Sequence, residues 1–133
     1  MKKIRRLALI ALPAALALGA VGATLPAHAA TPTAVVVNRH CTKTSMSNLQ
    51  LQREDTGQLS VDFGVDMARP VAGVRWRVIE LRNGVVFVNS TTRTIADGSF
   101  SISSLLAPRS VNHVIAAASN PATGETCYIS ATL

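Results

Sequence analysis

From Ala34 onward, apolar and polar residues alternate with a period of two, the pattern of extended segments that bury one face. Leu59, Val61, Phe63 and Val65 alternate with Ser60, Asp62, Gly64 and Asp66, the cleanest such segment in the chain. Val74, Trp76 and Val78 alternate with Arg75, Arg77 and Ile79, so the indole is predicted to point inward and both guanidinium groups toward water. Phe100, Ile102 and the Leu105-Leu106 pair follow an Asp97-Gly98-Ser99 turn. Val111 to Ala118 is a nearly continuous apolar run, and Cys127, Ile129 and Ala131 share one face of a last strand. Ala34 to Asn38 and Ser47 to Glu54 bring the count to seven or eight short strands, and no window of similar length carries a helical period with caps. With turns every ~8 to 12 residues, the pattern predicts an all-β fold, an immunoglobulin-like antiparallel β-sandwich.

The breakers between these runs are Asp55-Thr56-Gly57, Arg69-Pro70 through Gly73, Asn83-Gly84 and Asn120 through Gly124. Asn83-Gly84 is the strongest, because both residues tolerate the positive φ that a two-residue type I′ hairpin demands. A strict register about that turn sets Leu81 opposite Val86 and Ile79 opposite Val88, with Trp76, Val78 and Phe87 on the other side. Both faces of the hairpin are then partly apolar. Either a bulge shifts the register, or a neighbour or partner covers the surplus face.

The first thirty residues follow a different logic. Lys2, Lys3, Arg5 and Arg6 precede an apolar stretch from Leu7 to Val21, and the segment ends in Ala27-His28-Ala29-Ala30. A basic start, a short apolar run and a small-residue site are the marks of a secretory signal; a membrane span needs ~20 apolar residues. The expected organisation is a signal peptide over 1–29, helical in its apolar part, and a secreted domain over 30–133, with cleavage after Ala29 or, as second choice, Ala30. Arg5-Arg6 also permits a twin-arginine reading. No cysteine follows the apolar run, and no second hydrophobic segment closes the C-terminus, so neither a lipid anchor nor a stable membrane anchor after cleavage is expected.

Export changes the charge balance. The whole chain carries 13 Lys plus Arg against 7 Asp plus Glu. Four of the basic residues leave with the leader, and the remaining nine against seven give a net charge of +2. That is far from the dense basic face that neutralises phosphates, so no nucleic-acid partner is expected. About 100 residues make one domain with a modest stability margin. Cys41 and Cys127, near its opposite ends, are expected to pair in an oxidising compartment, closing a loop worth ~4 to 5 kcal/mol. The rival reading of free or metal-binding thiols lacks any close ligand spacing.

Candidate chemistry is sparse. His40 precedes Cys41 and invites a copper or zinc reading, but a disulfide consumes the thiolate that a metal would need. His113 lies in an apolar run without a Gly-x-Ser-x-Gly elbow. Asp62 and Asp66 alternate with an apolar face and are expected in solvent; Glu80, Asp97 and Glu125 are scattered, and Asp97 has a local role in its turn. No phosphate loop, dinucleotide fingerprint or calcium-loop pattern is present, so neither a metal nor a cofactor is expected. Asn89-Ser90-Thr91 fits a glycosylation sequon in a chain whose leader looks bacterial. Arg75 and Arg77, with Arg93 across the hairpin, form a small basic strip that could meet an acidic polymer, and with Trp76 and Phe87 they are the candidate binding residues. A solvated strand face that discourages edge-to-edge aggregation is the plainer role.

Cys41, Trp76-Arg77-Val78, Asn83-Gly84, Asp97-Gly98-Ser99-Phe100 and Thr123-Gly124-Glu125-Thr126-Cys127 together resemble a group of small secreted actinobacterial proteins of unknown function. The resemblance covers most of the domain and implies the sandwich and the disulfide, but no activity. A weaker similarity is to the enediyne chromophore-binding apoproteins, secreted sandwiches that use two disulfides where this chain can form one; no site residue is carried over from them. The functional expectation is a secreted, non-catalytic module that binds an extracellular protein or surface polymer. The alternatives are a carrier of a small apolar ligand and, third, a hydrolase.

Overall fold

The computed structural model describes residues 33–133; the expected signal peptide, its helix and its cleavage site lie outside the described residues. Eight strands follow one another: β1 (Ala34–His40), β2 (Met46–Arg53), β3 (Leu59–Asp66), β4 (Arg75–Arg82), β5 (Val85–Arg93), β6 (Ser99–Leu106), β7 (His113–Ser119) and β8 (Thr126–Thr132). They form two four-stranded sheets, β1-β2-β3-β6 and β5-β4-β7-β8, with every pair antiparallel. The chain crosses between the sheets after β3, β5 and β6, so β3 pairs with β6 and β4 with β7. These crossed pairings are the Greek-key connection of an immunoglobulin-like sandwich, here with β1 added beside β2.

The period-two pattern fixes which face of each strand turns inward. Leu49 and Leu51 from β2, Leu59, Val61, Phe63 and Val65 from β3, and Phe100 from β6 meet Trp76 and Val78 of β4, Val114, Ala116 and Ala118 of β7, and Cys127 and Ile129 of β8. Phe100 joins the layers: its ring centroid lies 6.2 Å from Phe63 in its own sheet and 5.9 Å from Trp76 in the other. Edge-to-face and tilted arrangements of this kind add ~0.5 to 1.5 kcal/mol per pair beyond their burial.

At the hairpin, Asn83 (φ 49°) and Gly84 (φ 84°) form the expected two-residue turn. Leu81 faces Val86 as predicted, but the register shifts between Glu80 and Leu81, so Glu80 faces Val88 and Ile79 faces Asn89. The bulge leaves Phe87 without an opposite residue and lets Phe87 and Val88 both lean on the core. This resolves the hairpin whose two faces were both partly apolar.

The two open flanks of the sandwich differ. On one, β1 lies against β8 and Cys41 is disulfide-bonded to Cys127 with 4.3 Å between Cα atoms. The backbone N–H of Thr42 donates to the Thr126 carbonyl (2.9 Å), and the Thr126 N–H donates to Thr42 Oγ1 (2.9 Å). Buried Glu125 completes this corner: its carboxylate accepts from the N–H groups of Lys43 (3.2 Å) and Ser45 (2.9 Å) and from the Ser45 hydroxyl (2.8 Å). On the other flank, β5 and β6 are the outer strands of their sheets.

Candidate functional site

The outer faces of the two sheets are chemically unlike. In the first sheet the outward positions of β1, β2, β3 and β6 include Asn48, Gln50, Gln52, Ser60, Asp62, Asp66, Ser101 and Ser103, where Asp62 accepts a hydrogen bond from Ser103, with exposed Val36, Met46 and Leu105 scattered among them. The second sheet presents rows read directly from its register. Arg93 and Arg75 stand opposite each other; next come Thr91, Arg77, Ser119 and Thr126; then Asn89, Ile79, Ala117 and Tyr128; then Val86, Leu81, Ile115 and Ser130. The last two of these rows are therefore apolar across three strands. Val86 is 51% exposed and Tyr128 54%, while Ile79, Leu81, Ile115 and Ala117 are half-buried by their neighbours.

None of the seven carboxylates stands on this face. Asp62 and Asp66 lie on the opposite sheet, Glu54, Asp55 and Asp97 lie in turns, and Glu80 and Glu125 are buried. The three arginines therefore have no acidic neighbour in their rows, and Arg75 directly opposite Arg93 is a like-charge pair, which costs a few tenths of a kcal/mol. Arg93 offsets part of that cost by donating to the Gly73 carbonyl (3.0 Å).

Of the candidate binding residues, Arg75 and Arg77 are exposed on this face. Trp76 is not available there: it points between the sheets and has no exposed surface. Phe87 is half-buried at the bulge, facing a depression of about 240 Å³ that Arg82, Leu106 and Arg109 also line. Tyr128 is the aromatic that the site gains. The sequence held its signal, since Tyr128 alternates with Cys127 and Ile129, whose inward direction fixes its own as outward. It separates two shallow depressions: one of about 270 Å³ with Arg77, Ile79, Ala117 and Ser119, the other of about 180 Å³ with Arg39, His40 and Thr42. Thr126 lines both.

A depression of about 560 Å³ lies over the first sheet and reaches the β5–β6 loop. Asp66 and Arg93 both line it, so its charges offset one another and it selects for no particular ligand charge. His113 is exposed, and its Nδ1 lies 2.9 Å from the Thr132 hydroxyl. Among the described residues, no three His, Cys, Asp or Glu side chains are grouped so as to hold a metal ion.

Glu80 is the unexpected group. The run Trp76, Val78, Glu80, Arg82 places it inward, where it is fully buried and neither carboxylate oxygen has a hydrogen-bond partner among the described residues. Burial, with a smaller contribution from the Asp62 charge, pushes its pKa up from 4.5 to about 7. Arg82, next on the same face, does not neutralise it and instead donates to the Ala107 carbonyl at 2.6 Å. Compared with protein-family models, with curated proteins and with solved structures, the chain matches none.

Proposed function

We propose that this protein is exported and works outside the cell as a non-catalytic binding module, using the outer face of the β5-β4-β7-β8 sheet to hold an extracellular protein or polymer. One observation carries the reading: Val86, Tyr128 and the half-buried Ile79, Leu81 and Ile115 share this face with Arg75, Arg77 and Arg93, and no carboxylate stands on it, whereas the outer face of the other sheet carries Asp62 and Asp66. Interfaces are enriched in Tyr and Arg and depleted of acidic residues at their centres, and a like-charge arginine pair left uncompensated is a cost that a partner's anionic groups would remove. Export is supported by the leader and by the Cys41–Cys127 bond, which persists in oxidising compartments.

The test is chemical crosslinking in culture medium with the wild-type protein and with Arg75→Glu/Arg77→Glu, both checked for unchanged melting temperature. The reading expects a defined crosslinked species that the charge-reversed variant loses. A species retained at full yield by that variant, or a small molecule co-purifying in stoichiometric amount, would overturn it. The intact mass of the protein from medium tests export, with an N-terminus at Ala30 or Thr31 expected.

A further inference from the structure

Resting on that reading, we propose that the groove crossing Tyr128 is a subsite for an anionic glycan, a chain of sugar rings that bear carboxylates. The two depressions share Tyr128 and Thr126 in their linings and lie one on the sheet face and one at the end of β1, beside the disulfide-bonded corner. Arg77 stands on one side of the ring, Arg39 and His40 on the other, and the Thr126 hydroxyl-bearing side chain lies between. Strands spaced ~4.8 Å apart put Arg77 and Thr126, two strands distant in one row, about 10 Å from each other. No carboxylate lines either depression, so the cations are free to pair with a ligand anion.

The identity of the ligand follows from which groups are still unsatisfied. An extended peptide is held chiefly through main-chain hydrogen bonds to a free strand edge. Here that edge is occupied at the corner beside the groove: the Thr126 carbonyl accepts from Thr42 and the Thr126 N–H donates to the Thr42 hydroxyl. What remains is a half-exposed aromatic ring flanked by guanidinium groups. A sugar ring lies flat on such an aromatic face, burying C–H groups, while planar guanidinium forks engage carboxylates in bidentate fashion. The arrangement needs an anion attached to a ring, which an acidic polypeptide does not supply.

The experiment measures retention of the purified protein by immobilised polygalacturonate, dextran and polyglutamate. Binding to polygalacturonate is expected, with no binding to dextran and at least tenfold weaker binding to polyglutamate. Tyr128→Ala, Arg77→Ala and Arg39→Ala should each weaken polygalacturonate binding about tenfold, the loss of one stacked ring or charge-assisted pair. Tyr128→Phe should retain it, and all four variants should melt with the wild-type protein. Equal binding of polyglutamate would overturn the inference in favour of an acidic polypeptide, and concentration-dependent self-association abolished by Tyr128→Ala would overturn it in favour of a second copy. Unchanged binding in Tyr128→Ala, or no binding to polygalacturonate, also overturns it. A crosslinked species sensitive to Arg75→Glu/Arg77→Glu would survive that failure, so the broader reading falls only by its own test.

Discussion

Replacing Glu80 with Gln should stabilise this protein at neutral pH and remove a pH dependence that the wild-type chain shows. In the folded state the Glu80 pKa is about 7; in the unfolded chain it returns to the ordinary 4.5. Between those values the folded state keeps a proton that the unfolded state has released, so stability falls as pH rises and levels off above about 7. Below pH 4.5 both states are protonated and nothing is lost. A difference of that size corresponds to about 3 kcal/mol at 1.36 kcal/mol per pH unit. Relaxation of the surroundings of a buried carboxyl reduces the full difference, and we take about 2 kcal/mol as the working figure. The amide of Gln is buried as the protonated acid is, so Glu80→Gln should match the wild-type protein near pH 5 and exceed it by about 2 kcal/mol at pH 8. For a domain of this size that is a rise in melting temperature of about 10 °C. Guanidinium unfolding of both proteins between pH 5 and 8, with the disulfide intact, measures it. Parallel pH profiles for the two proteins would refute the reasoning, because they would mean that the buried carboxylate has a partner or reaches water.

Reduction of Cys41–Cys127, or the Cys41→Ser/Cys127→Ser pair, should cost about 4.5 kcal/mol from the loop entropy of an 86-residue separation, read by denaturant midpoint. The intact mass should rise by two hydrogens on reduction. Glu125→Ala should cost about 2 to 4 kcal/mol, since it leaves the buried N–H and hydroxyl of Ser45 without an acceptor, and hydrogen exchange should locate the loss in residues 43–45. Gly98→Ala should cost at least about 2 kcal/mol in a thermal melt: Gly98 has φ 86°, and a Cβ there would meet the Arg69 carbonyl oxygen in hard overlap.

The strands and the disulfide were legible because both rest on local signals. Leu59 to Val65 alternate cleanly and form β3, and the paired cysteines had no rival ligand spacing. The hairpin turn was legible to the residue, and a bulge was one of the two ways out that its doubly apolar faces left open, but its place at Phe87 was not legible: that is set by how β5 leans on the other sheet, which sequence period alone does not encode. Trp76 was read correctly as inward, and this burial is what removes it from the candidate binding surface. Glu80 obeyed the same alternation, Trp76, Val78, Glu80, which places it inside; in the sequence reading it figures only as one of several scattered carboxylates. The outward direction of Tyr128 was legible from its alternation with Cys127 and Ile129, but the surroundings of Tyr128 and of Glu125 were not. The neighbours that surround them, Arg39, His40 and the 43–45 loop, are 80 or more residues away in the chain.

The cysteine bond also sets how the molecule carries load. Cys41 and Cys127 lie 4.3 Å apart, so tension arriving along the chain before Cys41 and leaving after Cys127 passes through a covalent link and bypasses nearly the whole sandwich. The 86-residue separation, about 30 nm of contour length when stretched, stays hidden under force and is released only by a reductant. In a pulling experiment the oxidised protein should behave as a tether of almost fixed length. On the β5-β4-β7-β8 face, β4, β5 and β7 lie inside the closed loop and stay folded while the chain is pulled, whereas Tyr128, one residue past Cys127, lies on the loaded segment.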